Sequence, residues 1–122
     1  MERTQLLFRT FPGSQTLAGN TTTILNYACP YGIATCRYPL IRVVYNNRDF
    51  SGSSVTFNLL LLQCQEPVGT LDSVTLYPGE CVTRTYESPG FALAVEATNN
   101  GSADSFVDVS IYGVFPGCRC NC

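Results

Sequence analysis

The chain alternates apolar and polar residues in short runs. The alternation is clearest at 107–112, where Val107, Val109 and Ile111 take every second position, and it recurs at 91–98. A period of two is typical of a strand that buries one face. Less regular runs predict further strands at 20–28, 40–46, 54–64, 70–77 and 81–87.

Turn signals separate these runs at short intervals. Stretches such as FPGS at 11–14, EPVG at 66–69 and YPGE at 77–80 leave no segment long enough for an ordinary helix. About eight strands in roughly a hundred residues predict an all-β fold. We expect a jelly-roll or β-sandwich of about eight antiparallel strands with extended terminal arms.

The run at 54–64 differs from the others because both of its faces are apolar. It predicts a central strand that is covered on both sides. One face carries Val55, Phe57, Leu59 and Leu61, and the other carries Leu60, Leu62 and Cys64.

Two Pro-Gly pairs divide the chain of 122 residues into a body and two ends. The body, residues 14–115, is the predicted jelly-roll domain, and residues 116–122 form a cysteine-rich C-terminal tail. Residues 1–13 are either the first strand or an arm that adds to the sheet of a neighbouring chain. The candidate assembly residues of this arm are Leu6 and Phe8 on one face and Leu7 and Phe11 on the other.

Charged residues make up only 13% of the chain, about half the usual share. All cations are arginine, the net charge is −2, and 13 threonines, 9 serines and 8 asparagines supply the polar surface. This composition gives no electrostatic basis for binding nucleic acid or an anionic membrane, so we expect neither partner. The N-terminus has no apolar run of signal-peptide length, which predicts synthesis in a cytosol.

Catalytic chemistry has little support in the sequence. Without histidine there is no side chain that acts unaided as a general base near neutrality. Phosphate loops, dinucleotide fingerprints and nucleophile elbows are also missing from the sequence. We therefore predict a protein that is not an enzyme and that has no cofactor and no metal.

The seven cysteines are the main chemical feature. Their spacing does not match the paired ligands of zinc sites, and disulfides fit it better. Cys118, Cys120 and Cys122 face one way in an extended tail, about 7 Å apart, so a bridge between neighbours would close a very tight ring. We expect these three to reach thiols of another chain, with Cys36 as the most accessible acceptor.

The remaining cysteines are candidates for bonds within the chain. Cys29 and Cys36 bracket a short loop and are close enough in sequence to bridge each other. Cys64 and Cys81 lie in or beside strands, where a lone cysteine is more often a small buried apolar residue. The odd total leaves at least one thiol free or paired with another chain.

Residues 73–97, SVTLYPGECVTRTYESPGFALAVEA, resemble the Ena family of bacterial endospore appendage subunits. The shared rhythm is a strand, a Pro-Gly turn, a strand with TRTY and an apolar strand. The resemblance implies a single jelly-roll domain that polymerises into a resistant fibre. It also implies that cysteines cross-link axial neighbours and that sheets join laterally. Here the cysteine cluster is C-terminal, whereas the N-terminal arm has none.

The resemblance also implies a location and partners. The subunit would be made in the mother-cell cytoplasm and would end on the spore surface, with itself and other spore-surface proteins as partners. Two alternatives remain open. One is a small β-sandwich module that binds carbohydrate, with seven tyrosines but no tryptophan, or a soft metal. The other is a spore-coat or exosporium component that forms no fibre.

Overall fold

The computed structural model describes residues 3–10, 15–25, 38–63, 66–87 and 92–115. They contain nine strands and no helix long and apolar enough to cross a membrane. The strands are β1 (Arg3–Arg9), β2 (Gln15–Leu17), β3 (Thr22–Ile24), β4 (Leu40–Asn47), β5 (Val55–Gln63), β6 (Glu66–Leu76), β7 (Cys81–Glu87), β8 (Ala92–Asn99) and β9 (Ser105–Phe115).

The strands form two antiparallel sheets. Sheet A has the order β1-β9-β4-β7, and sheet B has the order β3-β8-β5-β6. The short β2 pairs with the first residues of β9, and β1 pairs with its last residues. Together they fill one strand position, so each sheet has four positions and the total is eight. The predicted all-β sandwich of jelly-roll type is confirmed.

The core lies between the inward faces of the two sheets. The inward residues of the four central strands are buried, apart from the partly buried Leu61, which confirms the alternation at 107–112. Each large apolar side chain contributes about 1.5–3 kcal/mol when it leaves water, so these faces hold the sheets together. The largest of these side chains are Tyr45, Phe57, Leu17, Ile41, Leu59, Leu93 and Ile111.

The strand β5 carries buried apolar residues on both faces, as the sequence predicts, although Thr56 and Asn58 on the outer face are only half-buried. Val55, Phe57 and Leu59 point into the main core with no exposed surface. Leu60 and Leu62 point the other way and remain only 8% and 9% exposed, in a second apolar cluster with Ala94. Cys64, the last residue of the predicted pattern, lies outside the described residues.

The strand β6 departs most from its prediction. The stretch EPVG is the beginning of the strand, so the predicted turn at 66–69 is wrong. Two register shifts against β5 leave Val68 and Leu71 without a partner, as in β-bulges. An edge strand tolerates Pro67 because its missing N–H need not pair.

The sandwich has two chemically different ends. We call the first the loop end, where residues 18–21, 48–54, 77–80 and 100–104 connect consecutive strands. We call the second the cysteine end, where β1 begins and β9 ends. The segments that hold six of the seven cysteines join their flanking strands at this second end; these cysteines lie outside the described residues.

Candidate functional site

The candidate site is the set of sheet edges, because an edge strand presents unpaired main-chain N–H and C=O groups. Among the described strands, the edges are β1 with β2, β3, β6 and β7. Three of these edges are short or interrupted. The strand β3 has three residues, β1 has a register shift at Leu7, and β6 has two shifts and a proline.

The edge formed by β7 is regular. All seven of its residues pair with β4 without a register shift, and Cys81–Glu87 contains no proline or glycine. The strand follows a tight turn in which Gly79 has a φ of +89° and the Glu80 N–H donates to the Tyr77 oxygen at 3.0 Å. Proline followed by glycine in this conformation is typical of a type II turn, which fixes where β7 begins.

The hydrogen-bond pattern shows which groups of β7 face the free edge. The Asn47 N–H donates to the Glu80 oxygen at 3.0 Å, so residue 80 points its main-chain groups at β4. Along an antiparallel strand, the main-chain N–H and C=O groups of successive residues point alternately toward one neighbouring strand and away from it. Residues 82, 84 and 86 therefore bond to β4, whereas residues 81, 83, 85 and 87 present N–H and C=O groups away from it.

The side chains of β7 divide in the same regular way. Val82 and Tyr86 pack against the core, whereas Thr83 and Thr85 are exposed on the outer face of sheet A. This edge therefore offers exposed threonine hydroxyls beside its outward main-chain groups, and Nε of Arg42 donates to the Thr85 hydroxyl at 3.4 Å.

Cys81 begins this strand and is exposed and free. The prediction of a small buried residue is wrong here, because position 81 points to the outer face, opposite Asn46. The thiol lies in a cleft of ≈ 320 Å³ that Asn46, Arg48, Asp49 and Gly79 also line. In the described part of the chain, no group of three or more His, Cys, Asp or Glu residues is placed to hold a metal ion.

A polar cluster links β6 to β7 across the gap between the two sheets. Asp72 of sheet B accepts hydrogen bonds from the Tyr86 hydroxyl at 2.7 Å and from the Arg84 guanidinium at 3.0 Å. The Tyr86 hydroxyl also lies 3.1 Å from that of Tyr45. We call these four residues the Asp72 clamp. It fixes β7 relative to β6 and so holds the regular edge in place.

The clamp changes the acid–base behaviour of its members. Burial alone would raise the pKa of Asp72, but hydrogen bonds from Tyr86, the Ser73 N–H and Arg84 outweigh it, and the pKa lies below its usual value. Burial raises the pKa of Tyr45 to about 12. Burial and the bonds to Tyr45 and Asp72 also raise the pKa of Tyr86. The clamp is therefore a carboxylate with two neutral tyrosines near neutral pH.

The loop end is closely packed by main-chain contacts. The Asn20 N–H donates to the Gly101 oxygen at 2.8 Å, and the Gly52 N–H donates to the Asp104 oxygen at 2.9 Å. A Cβ at position 19 would lie 2.2 Å from the Ser102 oxygen, so only glycine fits there. Each of these loops contains a glycine in the sequence, but the contacts between the loops are visible only in the structure.

Two exposed aromatic residues also lie at the loop end, and sequence reasoning did not single them out. Phe50 is 60% exposed and its ring lies 4.9 Å from that of Phe106. Tyr77 is 62% exposed in the type II turn. Aromatic rings in loops carry no periodic signal, so a pattern of alternating residues does not reveal them.

The predicted arm lies in β1 of this chain. Leu6 is 50% exposed on the outer face opposite Tyr112, whereas Leu7 and Phe8 are partly buried against the core. The prediction that Leu6 and Phe8 share one face is wrong, because the register shift at Leu7 turns Phe8 toward the core. Phe11 lies outside the described residues. Donation of this segment to a neighbour's sheet stays a prediction.

The predicted disulfide residues, apart from Cys81, also lie outside the described part of the chain. Their pairing, within the chain or between chains, therefore stays a prediction. They are Cys29, Cys36, Cys64, Cys118, Cys120 and Cys122.

Comparisons with known proteins give structural neighbours but no sequence family. No protein-family profile and no curated protein matches the chain. A solved structure of Bacillus endospore appendages, described as disulfide-linked pili, is similar with a TM-score of 0.54 and 13% identity over 95% of this chain and 88% of that chain. The PBSX exported protein XepA has a TM-score of 0.60 and 8% identity over 96% of this chain and 38% of that one.

A third neighbour extends the comparison to viruses. The PRD1 vertex protein P5 has a TM-score of 0.56 and 11% identity over 92% of this chain and 95% of that chain. At these identities the similarity shows the fold alone. The chain thus has a β-sandwich fold of jelly-roll type that is also found in a pilus protein and in a viral vertex protein.

Proposed function

We propose that this protein is a structural subunit that self-assembles into a resistant extracellular fibre on bacterial endospores. Subunits join laterally through their sheets, and disulfides between chains make the contacts permanent. The observation that carries the proposal is the regular, uninterrupted edge of β7. The likeness in fold to the Bacillus endospore appendages supports it.

The β7 edge matters because the other edges differ from it. Bulges, prolines and short length are devices that prevent unwanted pairing between sheet edges. The edges β1, β3 and β6 have one or more of them, whereas β7 has none. A single unprotected edge favours one specific pairing mode over general aggregation. Thr83 and Thr85 supply hydroxyls beside that edge without adding charge.

The distribution of thiols supports bonds between chains. Cys81 is exposed at the loop end, while the tail cysteines follow β9 at the opposite end. Copies stacked head to tail bring these two ends together, and such a contact repeats into a filament because it does not close. A tail cysteine of one copy then bonds to Cys81 of the next. A bond to Cys36, whose segment joins its strands at the cysteine end, would instead link copies that lie side by side. Molecular oxygen accepts the two electrons and two protons, after assembly or after release from the mother cell.

The decisive experiment removes one outward N–H of β7. Thr83→Pro deletes a group that points to the free edge and keeps every bond to β4, so the variant should fold but fail to form fibres by negative-stain electron microscopy. Thr83→Ala removes the hydroxyl but keeps the N–H and is the matched control. Fibres of Thr83→Pro like those of the control would exclude pairing through β7.

The disulfide component is tested separately. The variant with Cys118, Cys120 and Cys122 all changed to serine should form fibres that dissolve in hot denaturant without reductant, because a covalent link constrains dissociation. In wild-type assemblies of mixed isotope labels, mass spectrometry without reduction should find heterolabelled peptides that contain residues 118–122. Tail cysteines that are only reduced, metal-bound or paired within one chain contradict this part of the proposal.

A second candidate function rests on the exposed rings of Phe50 and Tyr77. Exposed aromatic rings provide stacking surfaces for sugars, which favours a small carbohydrate-binding module. This alternative predicts a stable monomer under oxidising conditions that binds polysaccharide and loses binding in Phe50→Ala. Cross-linked assemblies without ordered fibres favour a spore-coat or exosporium component.

A further inference from the structure

The connection between β8 and β9 contains the only Asn-Gly dipeptide of the chain, Asn100-Gly101. Such dipeptides deamidate. The main-chain nitrogen of the glycine attacks Cγ of the asparagine, a C–N bond forms in a five-membered imide, and the side-chain amide leaves as ammonia with the glycine N–H proton. Water then opens the imide to aspartate or isoaspartate. The net reaction consumes one water and releases one ammonia.

The packing of the loop end requires glycine at this position. A Cβ on residue 101 would lie 2.4 Å from Oγ and 2.9 Å from Cβ of Ser53. The main-chain oxygen of Gly101 also accepts the Asn20 N–H at 2.8 Å. The fold therefore requires glycine after Asn100. This glycine makes Asn100 reactive, because a larger residue after asparagine would slow imide formation by steric hindrance.

The attacking nitrogen is held away from its target. The Gly101 N–H donates to Oδ1 of Asn99 at 3.1 Å. Asn99 is itself 1% exposed, and its Nδ2 donates to the Leu17 oxygen at 3.0 Å and to the Ala103 oxygen at 2.8 Å. Two hydrogen bonds donated by this buried side chain thus fix the acceptor that holds the nucleophile.

The group under attack is also held. Nδ2 of Asn100 donates to Oγ1 of Thr56 in β5 at 3.0 Å and to Oγ of Ser54, directly before β5, at 3.3 Å. The Asn100 N–H donates to the main-chain oxygen of Ser54 at 3.0 Å. Imide formation needs the side chain to rotate toward the Gly101 nitrogen, which breaks its bonds to both hydroxyls.

We propose that Asn100-Gly101 is a latent deamidation site, which the loop end keeps unreactive and which reacts only when the β8–β9 connection separates from β5. Isoaspartate adds a methylene to the main chain, and aspartate replaces two donors with a carboxylate that faces two hydroxyls. Either product prevents the original hydrogen bonds from re-forming. A transient opening thus becomes a permanent change. This inference does not depend on assembly.

The test measures deamidation of residue 100 by peptide mass spectrometry during incubation at 37 °C and mildly alkaline pH. Folded wild-type protein should react at least about tenfold more slowly than the same chain in urea, because reaction requires local opening. The double variant Ser54→Ala with Thr56→Val should react several-fold faster than folded wild type. Thr75→Val is the matched control, since Thr75 bonds to the Thr56 hydroxyl and not to Asn100.

Each result either supports or overturns the proposed deamidation site. Equal rates in folded and urea-unfolded wild type overturn the proposal. So does a folded double variant that reacts no faster than Thr75→Val, with folding judged by circular dichroism. If the double variant does not fold, hydrogen exchange of the Gly101 amide in wild type decides. Protection supports the proposal, and exchange at the rate of an open peptide overturns it.

Discussion

The loop end and the cysteine end of the sandwich are closed by different kinds of contact. At the loop end, main-chain groups bond directly to one another, and Gly19 and Gly101 allow neighbouring loops to touch. At the cysteine end, the described contacts are made by side chains. The Tyr38 ring lies over Gly113, 5.2 Å from the Phe115 ring, and its hydroxyl donates to Gln5 at 2.7 Å.

The difference shows that one jelly roll combines an end closed by main-chain contacts with an end whose attached segments hold most of the cysteines. Because the loops approach one another so closely at the loop end, Gly19 and Gly101 have no room for a larger residue. The segments attached at the cysteine end hold six of the seven cysteines, and only these segments hold more than one. In the head-to-tail stacking proposed above, the loop end is the surface that meets the tail of the next copy.

The comparison is most strongly tested by adding a methyl group at the loop end. Gly19→Ala places a Cβ within 2.2 Å of the Ser102 oxygen and 2.9 Å of its Cα, where only main-chain movement relieves the clash. We expect a loss of about 3 kcal/mol in the free energy of unfolding, measured by urea denaturation under reducing conditions.

Gly69 supplies the matched control near the cysteine end. The nearest neighbour of a Cβ at that position would be Cδ1 of Leu61, at 3.9 Å. Gly69→Ala should therefore change the free energy of unfolding by less than about 0.5 kcal/mol. Similar losses in the two variants contradict the view that main-chain contacts at the loop end exclude a methyl group.

The sequence predicted the interior of the fold better than its edges. Alternation identified the buried residues of β8 and β9 because each inward side chain must leave water, and that requirement acts on every second residue. It missed β2 (Gln15–Leu17), which is too short for a period to show, and the start of β6, where Pro67 and Gly69 resemble a turn. Edge strands bury little, so their residues are weakly constrained.

Predicting the candidate site was harder for the same reason. In the sequence, Thr83 and Thr85 resemble ordinary surface residues. They belong to the candidate site because the main-chain groups beside them face a free sheet edge. The exposure of Cys81 depends on which side of β7 faces outward, which the Asn47 to Glu80 hydrogen bond fixes. Register is a property of a pair of strands, so the sequence of one strand alone does not specify it.

The next test concerns β1, which reaches the cysteine end. If β1 completes the sheet of its own chain, Phe8→Ala should lower the free energy of unfolding by about 2 kcal/mol, since its ring is partly buried against the core. Leu6→Ala is the control, because Leu6 is 50% exposed, and it should cost less than about 0.5 kcal/mol. If Phe8→Ala leaves the free energy of unfolding of the unassembled chain unchanged but abolishes fibre formation, the arm belongs to a neighbour instead.

The Asp72 clamp marks the boundary between the two halves of β6. Residues 66–71, toward the cysteine end, contain both register shifts, whereas residues 73–76 pair regularly with β5 toward the loop end. Asp72 lies directly after the unpaired Leu71 and is tied to β7 by Tyr86 and Arg84. The clamp thus holds the sheets together at the point where the main chain of β6 becomes irregular.

Asp72→Asn tests this boundary with the smallest expected effect. The asparagine keeps the shape but loses the charge, so we expect a loss of about 1 kcal/mol at pH 7. The pKa of Asp72 is lowered by folding from 3.8, so its ionised form stabilises the fold above that pH, and the contribution disappears as pH falls through the folded pKa. Urea unfolding at pH 7 and pH 2.5 should show the wild type approaching the variant in acid, whereas Glu96→Gln should change stability by less than about 0.5 kcal/mol at pH 7. A difference between wild type and Asp72→Asn that stays constant from pH 7 to pH 2.5 would show that shape, and not charge, holds β6 to β7.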